Sequence, residues 1–250
     1  MQKVRGLILA AGRGSRMGHA TAEKPKCLTV LAGKTLLDWQ KESLTKAGVE
    51  DIYIVKGYRP DMIESGGKEF INSIWSETNM VYSLFCASEF EGDSILSYSD
   101  ITYHPSHVEK LIASEGDICI TADLRWKELW SLRLENPLDD AETFKCNSEG
   151  NLIEIGKKTN SYDDVQAQYM GLLKLSSKGW NTMYNEFKSL SEERQKKMDM
   201  TSMLNILIEK NIPISVVFVE GKWCEADTLS DVEAYESKLD DKNWIHDWRK

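Results

Sequence analysis

Close to the N-terminus, Gly12-Arg13-Gly14-Ser15-Arg16 is followed by Lys24-Pro25-Lys26. These residue types suit an anion. A glycine has no Cβ, so Gly12 and Gly14 can take φ > 0 and let backbone N–H groups approach a phosphate. Arg13 and Arg16 add forked donors matched to phosphate oxygens. Lys26 is a compact charge that can stabilise a phosphoryl group as negative charge develops on it. The loop follows an apolar run, Leu7-Ile8-Leu9-Ala10-Ala11. The order is therefore buried strand, anion loop, cationic clamp. A glycine-rich turn after a strand can be only a tight turn, but arginines inside it and lysines behind it favour phosphate. Two other phosphate loops are excluded. The dinucleotide fingerprint G-x-G-x-x-G fails because Gly18 comes one residue late, and no G-x-x-x-x-G-K-[ST] run exists.

Acids complete the chemistry. Asp100 follows the apolar stretch 94–98, and Asp227 ends Trp223-Cys224-Glu225-Ala226-Asp227. Mg²⁺ takes one or two carboxylates and fills its shell with phosphate oxygens and water. Two acids distant in sequence meet that need, although each alone could equally be a turn or cap residue. Glu77-Thr78-Asn79-Met80-Val81-Tyr82-Ser83 places small hydrogen-bonding groups before an apolar helix. Thr78 could cap that helix, or Thr78, Asn79 and Ser83 could read a base edge. In Gly156-Lys157-Lys158, one lysine could clamp an anionic acceptor, or both could be solvated. Trp126 and Trp130, spaced i,i+4, share a helix face. With the acids of Asp139–Glu142 they could hold an ammonium group, but core packing is the commoner use of such a pair. His104-x-x-His107 reads as surface polar residues at a helix start rather than a zinc pair.

These residues need elements to carry them. Strands are expected at 5–9, 51–55, 94–98 and 118–122, with helices at 36–47 and near 106–114. This β-α-β-α rhythm predicts a largely parallel α/β sheet with right-handed crossovers and helices on both faces. Ligands bind such sheets outside the carboxyl ends of the strands. The later half changes character. Strands at 151–155 and 168–175 form a mixed or antiparallel region, helices follow at 178–190 and 201–210, and a strand at 214–219 comes last. Ser230-Asp231-Val232-Glu233 is a capping box opening a final helix to about Leu239. The polar tail beyond it carries Trp244 and Trp248, which could dock on the body or on a second subunit of a homodimer. One domain, 1–250, is expected, with a nucleotide-binding half at 1–125 and an acceptor-binding half with the C-terminal helix at 126–250.

Composition narrows the class. Of 250 residues, 41% are hydrophobic and 28% charged, as in a soluble globular protein. The net charge of −9 argues against nucleic acid and anionic membranes as partners. No apolar span is long enough to cross a membrane, and no signal peptide is evident. The five cysteines are scattered with no C-x-x-C, which fits a reduced, cytoplasmic protein.

Leu9-Ala10-Ala11-Gly12-x-Gly14-Ser15-Arg16 with Lys24-Pro25-Lys26 closely resembles the signature of nucleotidyltransferases that make nucleotide-diphospho sugars and related activated compounds. Ser99-Asp100, Gly156-Lys157 and Glu225-Ala226-Asp227 follow in family order. Thr78 to Leu84 and Gln168 to Lys174 look like the phosphocholine and phosphonate cytidylyltransferases of that superfamily. Sugar-type members often carry Arg-x-x-Pro-x-Thr after the loop, whereas this chain has Arg16-Met17-Gly18-His19.

The resemblance implies a Rossmann-like, doubly wound mixed sheet with a small β-rich acceptor subregion. It implies transfer of CMP from CTP, with Mg²⁺, to a phosphonate, phosphocholine or phosphoglutamine-type acceptor. Arg16, Lys26 and Lys157 would be catalytic. Leu9, Ala10, Ala11, Gly12, Arg13, Gly14, Thr78, Asn79 and Ser83 would hold the nucleotide. Asp100 and Asp227 would hold the metal, and Trp126, Trp130, Glu142, Lys157 and Glu225 the acceptor. The alternatives are a sugar-1-phosphate nucleotidyltransferase and a non-catalytic CTP-binding regulator.

Overall fold

The computed structural model describes residues 4–87 and 92–250. Its centre is a seven-stranded sheet in the order 215–219, 118–123, 168–175, 94–98, 5–10, 52–56, 69–71. The strand Arg5–Ala10 runs parallel to both Ile52–Lys56 and Ser94–Tyr98. Its side chains alternate between two apolar cores. Leu7 and Leu9 face one and Ile8 and Ala10 the other, so the strand reads as an unbroken apolar run. The expected doubly wound, mixed α/β class is what the chain adopts.

One element lies elsewhere than expected. Gln168–Leu175 is an interior strand of the main sheet, antiparallel to Ser94–Tyr98 and to Ile118–Asp123. It is not part of a separate acceptor subregion. The small β-rich unit beside the sheet is instead a hairpin-like pair, Glu142–Cys146 against Leu152–Lys158. The strand Glu142–Cys146 carries no clean alternation and was not expected from sequence. Gly171, at φ +76°, sits in the register shift of the inserted strand; a Cβ there would come within 2.5 Å of Tyr98.

A second short pair matters more to the site. Trp223–Glu225 lies antiparallel to Ile101–Tyr103, with Glu225 opposite Ile101. The amide of Ala226 donates to the carbonyl of Asp100 at 2.9 Å. Two acidic segments far apart in sequence are thereby laid side by side.

Smaller corrections concern caps. The box on the last helix, Leu229–Glu236, pairs Thr228 with Asp231 rather than starting at Ser230. Asn79, not Thr78, caps Met80–Phe85. His104 caps Pro105–Ala113, and His107 is buried rather than on the surface. Burial pushes the His107 imidazole down to about 3, so it stays neutral. The tail docks on its own chain: Trp248 packs edge-on against Trp39, and Trp244 stacks on Tyr235. Its tryptophans therefore give no argument for a dimer. No helix among the described residues is long and apolar enough to cross a membrane.

Candidate active site

The first parallel pair of strands sets the site. Leu9 stands beside Tyr98, so the chain leaving each strand emerges at the same edge of the sheet. One exit is the glycine loop, the other Ser99-Asp100. Between them lies a cavity of about 280 Å³ lined by Leu9, Ala11, Gly12, Gly14, Ser15, Arg16, Lys26, Trp75, Thr78, Asn79, Met80, Ser83, Tyr98, Ser99 and Asp100.

Only one of the two loop glycines is conformationally required. Gly14 is left-handed at φ +73°, and a Cβ on it would lie 2.6 Å from the Cβ of Lys26. Its bare backbone is the surface on which the lysine stem rests. Gly12 has no positive φ and faces open space, contrary to the expectation that both would use the left-handed region. Thr21 closes the loop by donating its hydroxyl to the Gly14 carbonyl at 2.9 Å. Gly57 lets the neighbouring strand come close, since a Cβ there would stand 2.6 Å from the Ala11 carbonyl oxygen.

Lys26 is buried, and its Nζ bonds Asp100 Oδ2 at 2.9 Å and Asp227 Oδ1 at 2.6 Å. Arg16 Nη2 also reaches Asp227 Oδ1, at 2.8 Å. Behind the acids lies Arg133, at the end of the helix Trp126–Arg133. Its fork spans three carboxylates: Nε to Asp231 at 3.2 Å, Nη1 to Glu225 at 3.3 Å and Nη2 to Asp227 at 3.2 Å. Asp231 in turn accepts from the amides of Asp227 and Thr228 at 2.9 and 2.8 Å. The helix cap and the acid cluster are one network.

Charge states follow from this packing. Burial would lower the Lys26 ammonium, but Asp100 and Asp227 outweigh it and hold the amine above its ordinary value. Burial would raise Asp227, yet Lys26, Arg16 and Arg133 together hold it below the usual carboxylate range. Glu225 goes the other way. Burial, then the Asp227 charge, push its carboxyl up to about 8.

Asp100, Glu225 and Asp227 each offer a carboxylate oxygen, and these atoms lie within 4.8 Å of one another. Asp100 Oδ1 is buried with no hydrogen-bond partner. An all-oxygen carboxyl donor set with an unsatisfied lone pair suits a hard divalent cation such as Mg²⁺.

The end of the cavity bearing Thr78 and Ser83 is organised by Asn72, a residue sequence reasoning missed. Its buried amide donates to both Thr78 Oγ1 and Ser83 Oγ at 2.9 Å. Thr78 spends its own proton on the Ile74 carbonyl at 3.1 Å. The Ser83 hydroxyl, accepting from Asn72, can turn its proton to a ligand acceptor. Asn79 is occupied as a cap, accepting from the Met80 amide at 2.7 Å.

A second cavity of about 410 Å³ adjoins the first, sharing Arg16, Met80 and Tyr98. Trp130, Asp140, Glu142, Gln168, Tyr169, Asp199, Glu225 and Asp227 are among its walls. Trp130, Glu142 and Glu225, expected at an acceptor, thus line one cleft. Trp126 does not; it is buried between Trp130 and Tyr162, as core packing. Lys157 is exposed and ion-paired to Glu154 at 3.5 Å, outside both cavities. Ala10 is buried in the core. Arg13 is exposed and stacks over Tyr58 at 5.8 Å rather than lining the cleft. Arg133 carried no motif, and Asp231 was legible only as part of a helix cap; the buried position of an arginine at a helix end becomes visible only once the helix has a partner.

Residues 6–132 match the MobA-like NTP transferase domain. The CTP:phosphoglutamine cytidylyltransferase of Campylobacter jejuni is 39% identical over 246 residues, covering 91% of this chain and 97% of that one. The fold is shared with the inositol-1-phosphate CTP transferase of T. maritima, at TM-score 0.73 and 21% identity, over 95% of this chain and 97% of that one. It is also shared with the CTP:phosphocholine cytidylyltransferase of Streptococcus pneumoniae, at TM-score 0.72 and 20% identity, over 95% and 99%.

Proposed function

Because the chain belongs to the MobA-like NTP transferase family, we propose that this nucleotidyltransferase moves the CMP group of CTP onto the phosphate-type oxygen of a small acceptor, releasing pyrophosphate. The acceptor proposed is of the phosphoglutamine kind, as named for the C. jejuni relative. One observation carries the reading. The Lys26 ammonium sits between Asp100 and Asp227 where the loop cavity meets the acid-lined cleft. A triphosphate in the first and an anionic acceptor in the second would meet at that point.

In this reading an acceptor oxygen attacks the α-phosphorus in line, a new P–O bond forms, and the bond to the bridging oxygen of pyrophosphate breaks. The attacking group is anionic near neutral pH, since the second pKa of a phosphate monoester is about 6. No general base is required. The obstacle is repulsion between two anions. Arg16, which lines both cavities, and Lys26, which lines the first, supply the positive charge, and the loop backbone aligns the triphosphate. Asp100, Asp227 and Glu225 would hold Mg²⁺, which when bound screens phosphate charge. The hydroxyl proton of Ser83, directed by Asn72, suits an acceptor on a pyrimidine edge.

The test is pyrophosphate release with each of the four NTPs, Mg²⁺ and a panel of phosphoglutamine, phosphonates, phosphocholine and sugar 1-phosphates. CTP with a phosphoglutamine-type acceptor is expected to give turnover. CTP binding without release for every acceptor would instead indicate a nucleotide sensor.

A further inference from the structure

The carboxylate cluster is answered from within the protein. Lys26 Nζ holds Asp100 Oδ2 and Asp227 Oδ1, one oxygen from each of two acids that would hold a metal. Arg16 shares Asp227 Oδ1, and Arg133 takes Asp227 Oδ2. Both oxygens of Asp227 are thus engaged. With Glu225 and Asp231 included, three basic side chains face four carboxyl groups among the described residues. The cluster is within one charge of neutral, whether or not Glu225 carries a proton. A dication arriving alone would meet those cations at close range, in a buried setting that screens them poorly.

Of the three cations, Lys26 is the one placed to leave. Arg133 is fixed by its fork on three carboxylates. Arg16 is largely exposed, so solvent weakens its hold. Lys26 is buried, but its charge sits at the end of a flexible chain. A Cβ on Gly14 would stand 2.6, 2.8 and 2.7 Å from Lys26 Cβ, Cγ and Cδ, so the stem rests on bare loop backbone. Rotation about the last bonds moves the ammonium while the stem stays. Lys26 and Asp100 line the loop cavity, whereas Asp227 and Glu225 line the second. A triphosphate in the first cavity therefore competes with Asp227 for the ammonium.

We propose that Lys26 is the resident counter-ion of this cluster and changes places with a divalent cation when a triphosphate enters the loop cavity. This rests on the reading above that these acids hold the metal. The free protein takes up metal weakly, because the ammonium already occupies an oxygen of Asp100 and of Asp227. Metal and triphosphate each raise the protein's affinity for the other. One lysine serves the carboxylates before binding and the phosphoryl group after it.

The test is Mn²⁺ binding to the full chain without nucleotide, followed by electron paramagnetic resonance of the free ion, for wild type, Lys26→Met and Lys26→Gln. Loss of the ammonium is expected to tighten Mn²⁺ binding by about 10- to 100-fold, the range for a hydrogen bond to a charged group. Adding Asp100→Asn to Lys26→Met should abolish the gain. Equal Mn²⁺ affinity in wild type and both variants overturns the proposal, as does a gain that survives Asp100→Asn, and either result leaves nucleotidyl transfer standing. Should the variants melt early in metal-free buffer, Mn²⁺ alone is expected to raise their midpoints more than it raises that of wild type; equal shifts overturn the exchange. Wild type that releases no pyrophosphate from CTP with any acceptor would overturn the reading beneath, without moving these affinities.

Discussion

Arg133→Gln removes a guanidinium that is 4% exposed and faces carboxylates exposed by 4% at Asp227 and 6% at Asp231, with the more open Glu225 beside them. Breaking a buried pair by deleting one partner typically costs about 3–5 kcal/mol. The structure argues for the low end. Asp227 keeps Lys26 and Arg16, Asp231 keeps two backbone amides, and Glu225 can shed its charge by taking a proton. About 3 kcal/mol corresponds to a midpoint lower by about 6–12 °C for a chain of this size. The pH dependence has a definite sign. Asp227 is held below its ordinary range partly by Arg133, so its contribution to stability is present above the unfolded carboxylate pKa and is lost as pH falls. Without Arg133 that contribution shrinks. The gap between wild type and variant should therefore be wide at pH 7.5 and narrow only toward about pH 3, below the unfolded aspartate pKa of about 3.9. Thermal melts across this range are the assay, with Arg133→Lys as an intermediate that keeps charge but not the fork. A variant melting within about 2 °C of wild type at pH 7.5, or a gap equally wide at both pH values, would refute the reasoning.

Three further outcomes are expected. Glu225 carries a folded pKa raised to about 8, against about 4.3 unfolded, so the folded carboxyl keeps a proton the unfolded chain releases. Its contribution therefore declines as pH rises from about 5 to 8, by at most about 1.4 kcal/mol per unit. The melting advantage of Glu225→Gln over wild type should grow across that interval, and a flat difference would contradict it. Gly14→Ala should cost at least about 1–2 kcal/mol from the left-handed backbone alone and displace the Lys26 stem, whereas Gly12→Ala should change stability by no more than about 0.5 kcal/mol. Equal melting points for the two variants would remove the steric argument. Lys26→Ala should lower turnover by about 10²–10³-fold, as for loss of one preorganised charge-stabilising donor; near-normal pyrophosphate release would exclude Lys26 from the chemistry.

Local chemistry made the glycine loop, Lys26 beside it and the parallel opening of the sheet legible in sequence. An apolar run ending at glycine and arginine admits few other arrangements, and strand–helix alternation dictates which edge the loop occupies. Asp100 and Asp227 were legible as strand-end acids. That they converge required the pairing of Trp223–Glu225 with Ile101–Tyr103, which short strands do not advertise. The same pairing makes Glu225 a third member of the acid cluster, a position its spacing alone did not reveal. Arg133 and Asn72 carry no motif, and their importance lies wholly in what surrounds them. Conversely, Lys157 and Trp126 have suggestive residue types, but the first points into solvent and the second is consumed by core packing. Residue type and order determined which charges this protein can bring to a phosphate. Tertiary structure alone decided which of them stand together, because electrostatic interaction depends on separation in space and on burial, and neither is a function of distance along the chain.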